Sequence, residues 1–206
     1  DIDLSDEKTF LDYIRKPQTG FDSEIKYYRW SAQADFNGKE AGIRQILENR
    51  HSISPMNVIF YETNGKNETD SMADVGKLKG IEVEKRSASG SILTLRLSYE
   101  HGMVKVFSEY NIRKVLGLGA ANIAYQDGSE SAEVTILPSA FVSLVKEADE
   151  TYTLYGGGYG HGLGMSQHGA NGLANTGMWY QDILPFFHKS GFINSLTEQN
   201  EFTKQD

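Results

Sequence analysis

The chain has 206 residues, carries 20 Lys and Arg against 28 Asp and Glu, and has a formal net charge of −8 at pH 7. It contains no cysteine, which excludes a disulfide scaffold and a thiolate metal site. The acidic balance is spread along the chain and argues against a nucleic-acid groove and an anionic lipid surface. No apolar run approaches the roughly 18–20 residues of a membrane span.

The first third of the chain predicts a mixture of helices and strands. Phe10, Leu11 and Ile14 follow a helical spacing behind an acidic first turn, and Pro17 with Gly20 should end that helix. An aromatic-rich segment then favours a strand, and apolar residues at i, i+3 and i+4 favour a second helix. In chain order we predict helix 6–14, strand 25–32, helix 42–50, strand 58–61 and a polar loop over 62–74.

The middle third is dominated by strand patterns. Three alternating segments separated by short glycine-containing turns predict an antiparallel meander over 80–85, 92–97 and 103–107. A short helix over 110–117, closed by Gly117, and two further strands over 132–137 and 141–145 complete the prediction.

Glycine is concentrated between Tyr155 and Gly177. Because glycine costs about 0.5–1 kcal/mol relative to alanine in an ordered element, this density indicates positive φ angles or close approach of another group. After Ser166 the spacing of Leu173 and Ala174 predicts a helix with Ser166 as its N-cap. The fold class is therefore α+β, mainly antiparallel β, with a glycine-rich segment leading into a short helix at a groove.

The glycine-rich segment lacks the patterns of three well-known sites. No glycine triplet has the dinucleotide-binding spacing, no G-K-[ST] follows, and Ser166 does not sit in a G-x-S-x-G nucleophile elbow. His161 and His168 lie seven residues apart without a third ligand nearby, so we predict no metal and no cofactor. Each histidine fits either a hydrogen-bonded structural residue or a ligand contact, Ser166 fits a helix cap, and Gln167 fits an exposed first turn.

The sequence GYGHGLGMSQHGA over 158–170 closely resembles the signature of the SpoIID/LytB family, the stage II sporulation protein D and amidase enhancer proteins. Weaker blocks follow the family's order, so the resemblance spans about 21–190. These blocks are 21–23 with 28–30, 86–95, 112–118 and 176–187.

The resemblance implies action on peptidoglycan. The sporulation member resembles a lytic transglycosylase for glycan strands stripped of stem peptides, in which one carboxyl suffices as general acid. The family's catalytic Glu and its metal-binding cluster lie in an N-terminal helix that nothing here matches. We therefore expect this chain to be the C-terminal half of the family domain, inactive alone, with the catalytic residue unknown. Five carboxyl groups are available instead: Glu24, Glu62, Glu100, Glu109 and Glu130.

By resemblance, the glycine-rich segment binds the glycan strand of peptidoglycan. Its expected substrate-binding residues are Tyr159, Gly160, His161, Gly162, Gly164, Ser166, Gln167 and His168. Tyr159, Trp179 and Tyr180 fit either a sugar-stacking face or core packing. We expect a charged helix and linker over 1–20, the family-like domain over 21–196 and a flexible tail over 197–206.

An amidase-enhancer-like module without catalysis, docking a cell-wall amidase or another sporulation protein, is the alternative function. Both functions predict an extracytoplasmic location, at the cell surface or between mother cell and forespore. Neither requires nucleic acid or a membrane span in this chain.

Overall fold

In the computed structural model, residues 2–16, 19–62, 68–69, 72, 75–189, 191 and 193 are described. The chain divides into two compact units, one formed by Asp1–Pro17 with Lys26–Gly162 and the other by Gln18–Ile25 with Leu163–Asp206. The predicted α+β class is confirmed, because the described residues form both helices and two antiparallel five-stranded sheets.

The helices of the described residues are α1 (Glu7–Arg15), α2 (Glu40–Ile53), α3 (Glu109–Gly119), α4 (Gln167–Asn175) and α5 (Tyr180–Phe187), with short 3-10 turns at Lys26–Tyr28 and Pro55–Asn57. The strands are β1 (Trp30–Ala34), β2 (Val58–Glu62), β3 (Glu68–Thr69), β4 (Leu78–Arg86), β5 (Ile92–Tyr99), β6 (Gly102–Phe107), β7 (Asn122–Tyr125), β8 (Glu130–Ala132), β9 (Val142–Lys146) and β10 (Tyr152–Gly156).

Both sheets belong to the first unit. One has the order β3-β2-β6-β5-β4, and its β4-β5-β6 part is the predicted meander. The other has the order β8-β7-β1-β10-β9, so β1 pairs with a strand more than a hundred residues further along the chain. In this second sheet, strand β10 ends at Gly156, where the chain enters the glycine-rich segment.

A single large core joins the two sheets to α2 and α3. Alternating residues of β5 and β6 face it, and the helices contribute one apolar stripe each. The fully buried members include Ile43, Leu47, Leu95, Leu97 and Leu116.

Helix α1 is held against the rest of the first unit by buried apolar side chains and by an ion pair. Asp6 caps it by accepting a hydrogen bond from the backbone N–H of Thr9, as its residue type favours. Phe10 and Ile14 are buried in a small satellite cluster. Arg86, whose side chain is 1% exposed, forms an ion pair with Glu7 at 2.6 Å.

Several predicted elements differ from the structure. The segment 25–32 begins as a 3-10 turn, and its strand starts only at Trp30. Only one residue of the predicted strand 132–137 lies in a strand. Helix α3 does not end at Gly117 but continues to Gly119. A Cβ at Gly117 would lie 2.8 Å from Ile136 Cα. That glycine allows a close approach of two backbones rather than ending the helix.

Of the remaining predicted elements, some are confirmed and others lie outside the described residues. The helices over 6–14 and 42–50 and the strands over 58–61 and 141–145 are confirmed. Most of the polar loop over 62–74 and the whole tail over 197–206 lie outside the described residues.

The second unit contains α4 and α5. Leu173 is fully buried and Ile183 nearly so, and the ring of Phe21 packs edge-on against Phe186 at 6.0 Å. At Gly172 a Cβ would lie 1.8 Å from the carbonyl oxygen of Phe21, so only glycine fits there. Across the residues described in both units, no helix has the length and apolar character to cross a bilayer.

Candidate functional site

The glycine-rich segment starts with two buried glycines. The indole of Trp30 covers Gly156 so closely that a Cβ there would lie 2.2 Å from its Cζ2 atom. A Cβ on Gly157 would lie 2.8 Å from the carbonyl oxygen of Tyr28, and the Gly157 carbonyl accepts a hydrogen bond of 2.6 Å from the Ser139 hydroxyl. These two positions require glycine because of close packing, not because a ligand must reach the main chain there.

The next residues are tied to the first unit by main-chain hydrogen bonds. The N–H of Gly158 donates to the Tyr27 carbonyl at 2.7 Å, and its own carbonyl accepts from Trp30 Nε1 at 3.2 Å. The N–H of Gly160 donates to the Pro138 carbonyl at 2.9 Å. The main chain is therefore held on both sides of Tyr159.

From Gly158 onward the glycines have a different character. Every second residue adopts a positive φ: Gly158 (76°), Gly160 (124°), Gly162 (76°) and Gly164 (77°). A Cβ would meet nothing within 4 Å at three of these positions, and only Ser91 Oγ at 3.4 Å at Gly162. Residues with a side chain rarely adopt such angles, so here glycine sets the path of the main chain and leaves it bare.

The eight candidate binding residues are divided between the two units. Tyr159, Gly160, His161 and Gly162 belong to the first unit, and Gly164, Ser166, Gln167 and His168 belong to the second. Gly160 and Ser166 are half-buried, and the other six are exposed.

Ser166 is the N-cap of α4, as predicted. Its side-chain oxygen accepts a hydrogen bond of 3.0 Å from the backbone N–H of Gly169. Gln167 and His168 are the first two residues of the helix, and both side chains face solvent. The cap thus fixes the point from which these two side chains project.

The three aromatic residues with an open interpretation are all exposed. Tyr159 is 69% exposed, Trp179 71% and Tyr180 57%, so core packing is wrong for each of them. The ring of Tyr159 leans on Tyr27, with 4.7 Å between centroids. The sequence pattern does not single out Tyr27, because it is one of several aromatic residues in the segment 25–32.

Three of the five candidate carboxyl groups, Glu100, Glu109 and Glu130, are engaged in structural contacts. A hydrogen bond from Lys79 holds the pKa of Glu100 below its usual value. Glu109 pairs with Arg113 at 2.8 Å, and Glu130 accepts a hydrogen bond from an asparagine amide at 2.7 Å. A general acid needs a raised pKa. Among the described residues, each carboxyl group with a shifted pKa has it lowered: Asp3, Asp6, Glu100, Asp127 and Asp149.

No group of three or more His, Cys, Asp or Glu side chains within the described ranges is arranged to hold a metal ion. His161 and His168 belong to different units.

Comparison with known proteins gives two relatives from Bacillus subtilis (strain 168). The amidase enhancer is 31% identical over 131 residues, and the stage II sporulation protein D is 25% identical over 130 residues. Each alignment covers 61% of this chain, but only 18% and 32% of the respective relatives, so the chain spans a third or less of their length. No solved structure matches the chain.

A family model described as a domain of unknown function (DUF8618) matches residues 55–164. This match is more than half of the chain, and it runs from the turn before β2 into the glycine-rich segment. With the two relatives, it confirms the family resemblance of the sequence. The chain therefore belongs to the family defined by DUF8618 and is a relative of the SpoIID/LytB proteins.

Proposed function

We propose that this chain is a module that binds the glycan strands of bacterial peptidoglycan, outside the cytoplasm, through its glycine-rich segment. The observation that carries the proposal is the exposed main chain between Gly158 and Gly164, in which alternate residues have a positive φ and no side chain. A polymer of sugar rings can lie directly against such a backbone. The relatives named for sporulation and amidase enhancement support a role in the cell wall.

The side chains along the segment suit a neutral, hydroxyl-rich ligand. His161, Gln167 and His168 are exposed and offer both donors and acceptors for hydroxyl and N-acetyl groups. A glycan without stem peptides does not demand a basic surface, which is compatible with the net charge of −8.

We do not expect the chain alone to cleave glycan strands. Lytic transglycosylation needs a protonated carboxyl group beside the glycosidic oxygen. The Glu100 carboxyl has a lowered pKa, and Glu109 is held by Arg113. We expect the chain to bind glycan strands and to release no anhydro-ended saccharides from them.

Two substitutions test the binding surface. His161→Ala and Gln167→Ala should each weaken binding to denuded glycan strands about two- to twelvefold, since a hydrogen bond contributes about 0.5–1.5 kcal/mol. Binding is measured by sedimentation with denuded peptidoglycan. His101→Ala and Gln45→Ala are matched controls, because both side chains are exposed elsewhere in the first unit. Unchanged affinity in both test variants would remove these residues from the binding surface.

A second candidate function is partner docking without glycan binding, favoured by the similarity to the amidase enhancer. In that case the chain would bind a cell-wall amidase and would remain in the supernatant when denuded peptidoglycan is sedimented. Sedimentation with glycan and co-purification with an amidase, run side by side, separate the two functions. Release of anhydro-ended saccharides by the chain alone would show that an internal carboxyl group is catalytic.

A further inference from the structure

The first unit contains a cavity of about 350 Å³ beside the glycine-rich segment. This volume is at the small end of the range of about 300–1,000 Å³ typical of ligand pockets, so it suits one ring rather than a chain. Its lining includes Lys26, Tyr27, Tyr125, Glu133, Pro138 and Tyr159. Of these residues, only Tyr159 lies in the glycine-rich signature.

Three tyrosine rings form one wall of this cavity. Tyr27 is at the centre, with the Tyr159 ring 4.7 Å away at an angle of 41° and the Tyr125 ring 5.4 Å away at 89°. The Lys26 ammonium lies 4.8 Å and 5.0 Å from the centroids of Tyr27 and Tyr125. Because this ammonium lies beside two of the rings, a cationic ligand would be repelled, whereas a neutral ligand would not.

The tyrosine wall is held in place before any ligand arrives. The main-chain bonds from Gly158 to Tyr27 and from Gly160 to Pro138 fasten both neighbours of Tyr159 to the rim of the cavity. Tyr125 is fixed in β7, where its N–H donates to the Ser129 carbonyl at 2.9 Å. A preorganised wall loses little conformational entropy on binding.

The lining of the cavity also includes polar groups. Glu133 is exposed and is one of three residues other than glycine with a positive φ, 59°. No hydrogen bond or ion pair engages its carboxylate among the described residues. The cavity lining therefore combines aromatic rings with a carboxylate acceptor and an ammonium donor.

This combination fits a pyranose ring, whose C–H faces stack on aromatic rings and whose hydroxyl groups need donors and acceptors at the edge. We propose that the cavity between Tyr27, Tyr125, Tyr159 and Glu133 is a subsite for a single sugar unit of the glycan strand. The inference rests on the proposed glycan binding and adds Lys26, Tyr27, Tyr125 and Glu133 to the binding surface.

Titration calorimetry with a soluble tetramer of N-acetylglucosamine tests the subsite. Tyr125→Ala should weaken binding about tenfold through loss of a stacking face, and Lys26→Met should weaken it about threefold through loss of a donor. Tyr110→Ala is the control, because Tyr110 is 40% exposed and lies on α3 outside the cavity lining.

The outcomes separate this inference from the proposed function. If the tetramer binds and both test variants stay within twofold of the unaltered chain, the cavity is not a subsite, while glycan binding stands. If Tyr125→Ala loses its circular dichroism spectrum, Lys26→Met decides. If neither the tetramer nor denuded glycan strands bind the unaltered chain, the proposed function fails and the subsite fails with it.

Discussion

The substitution Gly156→Ala tests whether packing, rather than ligand access, requires glycine at the start of the glycine-rich segment. The added Cβ would lie 2.2–2.4 Å from three atoms of the Trp30 indole. The indole has little room to withdraw, because Trp30 is 4% exposed and its Nε1 donates to the Gly158 carbonyl at 3.2 Å. Either the ring or strand β10 must therefore move by about 1 Å to restore ordinary contact.

The expected cost combines two effects. Overpacking of a well-filled core costs about 1–3 kcal/mol. Moving the indole also strains or breaks its hydrogen bond to Gly158, which contributes about 0.5–1.5 kcal/mol. We expect Gly156→Ala to lower the free energy of unfolding by about 2–4 kcal/mol.

Urea denaturation followed by circular dichroism measures this loss. Gly80→Ala is the matched control, since Gly80 also lies in a strand but a Cβ there would meet only Tyr152 Oη, at 3.7 Å. In a double-mutant cycle, Trp30→Phe should reduce the penalty of Gly156→Ala by more than about 1 kcal/mol, because the smaller ring makes room for the methyl group. A Gly156→Ala variant within about 0.5 kcal/mol of the unaltered chain would refute the packing role.

Two further predictions concern buried polar groups. Arg86→Met should lower the free energy of unfolding by about 2–4 kcal/mol, because the buried guanidinium donates to the Gly90 and Val142 carbonyls as well as to Glu7. Glu7→Gln should cost only about 1 kcal/mol, since the carboxylate side chain is 40% exposed, and equal losses in urea denaturation would contradict this ranking. Burial, followed by the charge of a nearby glutamate, raises the pKa of Tyr99 above its usual value of 10.0. The folded chain thus keeps a proton that the unfolded chain loses above about pH 10, and stability falls there as the pH rises. Tyr99→Phe should remove up to about 1.4 kcal/mol of that loss per pH unit, and identical alkaline unfolding profiles for both chains would contradict it.

Local patterns predicted the parts of the fold that depend on near neighbours in sequence. The meander over β4, β5 and β6 follows from alternation and short turns, and the Ser166 cap follows from its residue type and the helical spacing after it. Both depend on contacts between residues close in the chain. Such contacts leave a periodic trace that a single sequence preserves.

The order of the second sheet could not be predicted because both pairings of its central strand β1 are long-range. Strand β1 pairs with β10 through Trp30 and Gly156, which are separated by most of the chain. The ring contact between Tyr27 and Tyr125 likewise depends on β1 and β7 lying side by side. No spacing rule connects such residues, so the tyrosine wall of the cavity becomes visible only in the folded chain.

A high density of glycine does not by itself show whether a segment is packed in the core or exposed for ligand binding. Gly156 and Gly158 are two residues apart in the same glycine-rich segment, but the first lies under Trp30 and the second faces open space with a φ of 76°. Substitutions at Gly156 should therefore act through stability, whereas alanine at Gly158 strains only the local main chain, by about 1 kcal/mol. A substitution that abolishes glycan binding therefore shows that the segment contacts the ligand only if the substituted residue lies in the exposed half of the segment. A substitution in the buried half would reduce binding by unfolding the chain.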